Sequence, residues 1–79
     1  MNSEWQEIDS ALYKKFEFRN FAEAFAFMTK VAAVAELQNH HPDWSNSWNI
    51  VEISLRSHDK GKVTQRDHDL ANAINELLA

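Results

Sequence analysis

The sequence contains no cysteine. Disulfides, thiolate-ligated zinc, iron–sulfur clusters and thiol catalysis are therefore excluded. It has one glycine and one proline, too few for a flexible linker or a low-complexity tract. It has no long apolar run: the longest, Ala24–Met28 and Val31–Ala35, are far short of the roughly 20 residues needed to cross a bilayer. It has no excess of cations, since eight Lys and Arg face twelve Asp and Glu for a net charge of −4. That balance argues against broad electrostatic binding of nucleic acid or an anionic membrane. The start, Met1-Asn2-Ser3-Glu4-Trp5, lacks a basic stretch followed by an apolar one, so it does not read as a secretory signal and the expected location is cytoplasmic. What remains is 79 residues, enough for one domain over 1–79 with a small core. Such a chain buries about 63% of its unfolded surface and leaves roughly 4,900 Å² exposed.

Two hydrophobic periods alternate along the chain. Residues 1–4 are polar and read as a loose start. Trp5-Gln6-Glu7-Ile8 reads as a short strand, Asp9-Ser10 as a tight turn, and Leu12 to Arg19 as a half-buried strand. In that strand Leu12, Lys14, Phe16 and Phe18 share one face, and Lys14 is a blemish there that a sheet edge would tolerate. At Asn20 the period changes. Asn20 with Glu23 fits an N-cap and capping box, and Phe21, Ala24, Phe25, Met28, Val31, Ala32 and Ala35 recur at helical spacing. Phe27 and Val34 widen the apolar arc. Pro42 drives His41 out of the α region, so the helix ends near Asn39 or His40. Trp44 to Trp48 reads as a short strand turning at Asn49, and Ile50–Ser57 as a strand burying Val51, Ile53 and Leu55. A polar loop around Gly61 precedes a helix capped by Thr64, with Asp67 at its third position and a Leu70, Ala71, Ile74, Leu77, Leu78 stripe. The order is ββαββα. The expected class is α+β, with an antiparallel sheet of about four strands and two helices packed on one face.

Four histidines are many for so small a chain, and two are adjacent. Glu36 and His40, four apart, share a helix face, where a carboxylate can fix the imidazole tautomer and raise its basicity. His40 and His41 occupy the helix-to-strand corner with their rings pointing in different directions. His58, at the end of a strand, reaches that corner if its strand lies beside it. These histidines admit three readings: polar decoration of two loops, a metal site, or acid–base catalysis near neutral pH, where an imidazole of pKa about 6.5 both gives and takes protons. Adjacent histidines seldom converge on one ion, and there is no tight His-x3-His pair, which weighs against metal. Periodicity alone does not choose between decoration and catalysis.

The spacing Glu36-x3-His40-His41-Pro42, then Trp48 after five residues, His58 after nine more and Asp67 after eight more, resembles the signature of the pterin-4a-carbinolamine dehydratase family. Phe16-x-Phe18-x2-Phe21, Val31-Ala32-x2-Ala35-Glu36, Ser57-His58-Asp59 and Thr64-x2-Asp67-x2-Leu70-Ala71 extend the resemblance from about Trp5 to Leu78. The aromatic at position 48 is often Tyr in that family, and the residue before the last histidine is often Thr where this chain has Ser57. The resemblance implies dehydration of a 4a-hydroxytetrahydropterin to a quinonoid dihydropterin, in tetrahydropterin recycling and with no metal, nucleotide or redox cofactor. It implies His40 and His58 as the acid–base pair and His41 as a substrate-positioning residue that assists them. Glu36 would orient His40. Asn39, Ser57 and Asp59 would hydrogen-bond the pterin, and Asp67 would support the loop or His58. Asn39 and Asp67 also read as helix-terminal residues, and Trp44 and Trp48 as core or interface residues more than stacking partners. His68 has no assigned role.

The first helix is apolar over more than one stripe, and a domain of this size cannot easily bury Phe27 and Val34 besides the main face. A homodimer or homotetramer is expected, as the resemblance also implies. Two alternatives remain open on the same residues. One is a non-catalytic interaction protein, since animal members of the family also act as dimerisation cofactors for a homeodomain transcription factor. The other is a relative acting on a different pterin, such as a molybdopterin intermediate.

Overall fold

The computed structural model describes residues 5–78; the reading of residues 1–4 lies outside them. The elements are β1 (Gln6–Ile8), β2 (Ala11–Glu17), α1 (Phe21–Gln38), β3 (Asp43–Ser47), β4 (Ile50–Leu55) and α2 (Gln65–Leu77). They form one antiparallel four-stranded sheet in the order β1-β2-β4-β3, with both helices on one face. The expected ββαββα, α+β architecture is therefore present. The accessible surface is 5027 Å², close to the expectation from chain length.

Local chemistry sets the turns. Asp9 and Ser10 both have positive φ, 52° and 64°, as a two-residue type I′ hairpin requires. That turn pairs Ile8 with Ala11 and Glu7 with Leu12. Asn20 caps α1, its Oδ1 accepting from the Glu23 amide at 2.9 Å. The Glu23 carboxylate does not close the expected capping box. It accepts from the Arg19 amide and guanidinium instead, at 3.1, 3.0 and 2.7 Å.

The core lies between the sheet and the helices. Leu12 and Phe16 of β2 and Val51, Ile53 and Leu55 of β4 face Ala24, Phe27, Val31 and Ala35 of α1 and Leu70, Ala71 and Ile74 of α2. Two expectations are corrected here. First, the buried face of α1 is rotated toward Phe27 and Val34: Phe27 is buried and Val34 half-buried, while Phe21, Phe25 and Ala32 are exposed. Aromatic packing sets this phase, because the Phe27 ring lies 4.8 Å from Phe16 and 5.0 Å from Phe18. A helix apolar on nearly every side gives periodicity little to choose by.

Second, Lys14 is not on an edge strand, since β2 pairs with both β1 and β4. Its stem lies on the core face, with Nζ 4.9 Å from the centre of the Phe16 ring and donating to Asn75 Oδ1 at 3.4 Å. The charge is accommodated by snorkelling and a ring face rather than by an edge. No described helix is long and apolar enough to cross a membrane.

Candidate functional site

The site forms where the end of α1, the start of β3 and the β4–α2 loop meet. Asn39 follows the last helical residue in the left-handed conformation, φ 52°. The His40 amide then returns to the Ala35 carbonyl at 3.1 Å and the Asn39 amide to Glu36 at 3.1 Å, a Schellman-type ending. The reversal turns His40 inward and His41 outward. His40 is 7% exposed, and its Nε2 lies 2.5 Å from Asp67 Oδ1. His41 is exposed, its Nε2 2.9 Å from Glu36 Oε1. The two rings do point in different directions.

Glu36 is thus the partner of His41, which corrects its expected role toward His40. The i,i+4 rule holds only inside a helix, and α1 ends before either histidine is reached. Asp67 serves His40, not His58. It is fully buried, its Oδ2 accepting from the Thr64 amide at 2.8 Å and the Ser57 hydroxyl at 3.0 Å. One carboxylate therefore caps α2, anchors the β4–α2 loop and holds a ring of the site. Ser57 is likewise fully buried, its hydroxyl lying between Asp67 and Thr64. Ser57 and Asp67 sit beneath the site and do not line it, so neither is placed to touch a substrate directly.

The β4–α2 loop presents the third histidine. Ser57 pairs with Lys62 across an isolated bridge, and the Lys60 and Gly61 amides both return to the Ser57 carbonyl, at 2.9 and 2.8 Å. Gly61 closes the turn at φ +66°, a conformation open to glycine at little cost. His58 then projects toward β3, where its Nε2 lies 3.1 Å from Asp43 Oδ2. Asp59, next in the chain, pairs with Arg66 of α2 at 2.5 Å. That guanidinium hydrogen bond holds the Asp59 carboxyl below the usual carboxylate range. Any stability the pair adds is present above about pH 4, the unfolded Asp value, and is lost as pH falls through the lower folded value. That window lies below the one in which an ordinary histidine titrates.

Asn39, His40, His41, His58, Asp59 and Arg66 line a single open cleft of about 200 Å³. Every histidine on it is paired through Nε2 with its own carboxylate: His40 with Asp67, His41 with Glu36 and His58 with Asp43. An ionised carboxylate only accepts hydrogen bonds, so in the neutral ring the hydrogen bonds of His40 and His41 select the Nε2–H tautomer and leave Nδ1 as the acceptor. The Asp43 carboxylate, 3.1 Å from His58 Nε2, favours a proton on the same nitrogen. Sequence reasoning missed Asp43 and Arg66. Asp43 follows Pro42 directly, and its pairing with Ser54 in the sheet brings it near the end of β4. Arg66 sits one residue before Asp67, on the first turn of a helix that was legible.

Trp44 packs against the core, and Trp48, 64% exposed at the β3–β4 turn, does not line the cleft. A larger cavity of about 410 Å³ lies on the open face of the sheet, among Ala11, Tyr13, Ser54 and Arg56. It contains no histidine; Asp43, which pairs with His58, is among its lining residues. The smaller cleft is where the acid–base groups converge. Among the described residues no group of three or more His, Asp or Glu is placed to hold a metal ion.

The sequence pattern of the Pterin 4 alpha carbinolamine dehydratase family matches residues 1–77. A protein of Afipia carboxidovorans, provisionally named a pterin-4-alpha-carbinolamine dehydratase, is 51% identical over 77 residues, covering 95% of this chain and 77% of its own length. One from Prochlorococcus marinus with the same provisional name is 48% identical over 77 residues, covering 98% and 81%. Among solved structures, a transcriptional coactivator/pterin dehydratase from Brucella melitensis superposes with a TM-score of 0.92 at 35% identity, covering 98% of this chain and 84% of that one. A pterin dehydratase-like RuBisCO assembly factor of the alpha-carboxysome shares the fold, with a TM-score of 0.78 at 23% identity over 98% of this chain and 93% of that one. On the strength of these matches, this chain is a member of the pterin 4 alpha carbinolamine dehydratase family.

Proposed function

We propose that this chain dehydrates a 4a-hydroxytetrahydropterin to the quinonoid dihydropterin, in tetrahydropterin recycling. The observation that carries the proposal is the convergence of three carboxylate-paired histidines on one cleft. The C4a–O bond breaks, its oxygen leaves as water after taking one proton, and the ring system loses another. Hydroxide is a poor leaving group, so an acid at the oxygen and a base at the ring each contribute typically 10²–10⁴-fold. His40 and His58 are the pair. His40 is sheltered and rigidly held through Asp67, whereas His58 stands on an exposed loop. His41, steadied by Glu36, positions the substrate, and Asn39, Asp59 and Arg66 offer hydrogen bonds to the amide-like edge of the pterin.

Two outcomes are expected from this assignment. Substituting His41→Ala raises KM more than it lowers kcat in steady-state kinetics, and the opposite split would give His41 a chemical role. Comparing binding and turnover across 4a-hydroxytetrahydropterins and molybdopterin-type substrates tests the reaction itself. Turnover of the former supports the proposal, and binding without turnover moves it to a non-catalytic role.

The same proposal takes the chain to be a homo-oligomer. The reason rests on the exposed side of α1, where the Phe21 and Phe25 rings stack 5.8 Å apart beside Ala32, rather than on Phe27. Sedimentation at micromolar concentration is expected to show a dimer or tetramer, and Phe25→Asp to shift it toward monomer. A monomeric wild type would contradict this. An exposed apolar helix face also suits the interaction role that the Brucella neighbour's description as a coactivator names.

A further inference from the structure

We propose that Asp43 is a positioning residue for the proposed dehydration, acting by holding His58 in the Nε2–H tautomer. The inference rests on the dehydratase reading, and nothing in the sequence signature singles out this position. Asp43 is the first residue of β3, and its Cα partner in the sheet is Ser54 of β4. Antiparallel partners project to the same side, so the Asp43 side chain stands on the open face near the end of β4. Three residues beyond β4 the chain delivers His58, with Nε2 3.1 Å from Asp43 Oδ2.

The other two histidines show why this matters. His40 is locked by burial as well as by Asp67, and His41 is tied to Glu36 close by in its own segment. His58 has neither advantage: it and Asp43 are each 59% exposed, on separate elements. No other ion pair of the His58 ring occurs among the described residues. A free imidazole populates both tautomers. Only the one with Nε2–H toward Asp43 leaves Nδ1 as the acceptor on the ring's other side. The mixture becomes a defined proton carrier when the carboxylate selects one form. Carboxylates that orient a metal-bound histidine typically cost 10–100-fold when removed, and the same scale is expected for Asp43, whose Oδ2 stands 3.1 Å from His58 Nε2. The exposure of this pair places the effect at the low end.

The decisive experiment combines kinetics with imidazole nitrogen NMR on wild type, Asp43→Ala and Asp43→Glu. Asp43→Ala is expected to lower kcat about 10-fold, with a smaller change in KM, and to move the His58 nitrogen shifts toward a mixed tautomer population. Asp43→Glu, whose longer carboxylate still reaches Nε2, restores most of both. An Asp43→Ala protein with wild-type kcat, or with an unchanged His58 tautomer population, overturns the proposal. Absence of turnover in the wild type defeats the dehydratase reading and with it the catalytic part of this one. The tautomer measurement then decides by itself whether Asp43 holds His58.

Discussion

Replacing His58 by alanine is expected to lower kcat by at least about 100-fold, and replacing His40 to do the same. The expectation follows from the chemistry. In the proposed dehydration water leaves from C4a as the ring loses a proton, and the two histidines proposed to move those protons both line the cleft. The two substitutions differ in their side effects. His58 is exposed, and its ring's one ion pair among the described residues is with Asp43, so His58→Ala removes the proposed proton carrier and leaves the core intact. His40 is buried against Asp67, so His40→Ala also leaves a buried carboxylate oxygen without its partner and lowers stability. His40→Gln, which can still donate to Asp67, separates the two effects: it should recover stability and not turnover. Single-turnover kinetics on proteins shown to be folded make the comparison. Unchanged kcat in both alanine proteins would remove the acid–base assignment.

Asp67→Ala is expected to be the most destabilising single substitution at the site. Its carboxylate accepts from the Thr64 amide, the Ser57 hydroxyl and His40 with no exposure to water. Its removal leaves the Thr64 amide and the His40 ring without that acceptor, leaves the Ser57 hydroxyl with Thr64 alone, and takes away the capping-box partner of Thr64 at the start of α2. Breaking a buried, hydrogen-bonded pair on one side typically costs about 3–5 kcal/mol. The total stability of a domain this size is roughly 4–12 kcal/mol. Near 60 °C each kcal/mol shifts Tm by about 4–8 °C for a small domain, so a fall of about 12 °C or more is expected. Asp67→Asn retains two acceptor contacts at one oxygen and should fall between the two. Calorimetric or urea unfolding measures both. A loss below about 1 kcal/mol in Asp67→Ala would show that the network is not what ties the β4–α2 loop to α1.

The element order was legible because each element carries a local signal. Asp9-Ser10 suits a two-residue turn, Asn20 and Thr64 are capping residues, and alternation in β2 and β4 is nearly regular. Two features were not legible for the same physical reason: they depend on contacts between elements. The phase of α1 is set by Phe16 and Phe18 meeting Phe27 across the core, which an all-round apolar helix does not encode. The pairing of histidines with carboxylates does not follow from proximity in sequence. Helical spacing pairs Glu36 with His40, but the left-handed turn at Asn39 ends the helix and hands Glu36 to His41. His40 then finds Asp67, 27 residues away. Asp43 and Arg66 carry no local signal, because one enters through sheet register and the other through the first turn of α2. The histidines were legible because their spacing with Pro42, Trp48 and Asp67 resembles that of the family; periodicity alone left decoration and catalysis open.

The measurement that bears most directly on the proposed function is a dehydration assay on the wild-type protein. 4a-Hydroxytetrahydropterin is generated in situ near pH 8, and quinonoid dihydropterin is followed by absorbance with and without protein. A clear acceleration over the spontaneous reaction, saturable in substrate and abolished in His58→Ala, is the predicted result. Folded protein that leaves the spontaneous rate unchanged would contradict it.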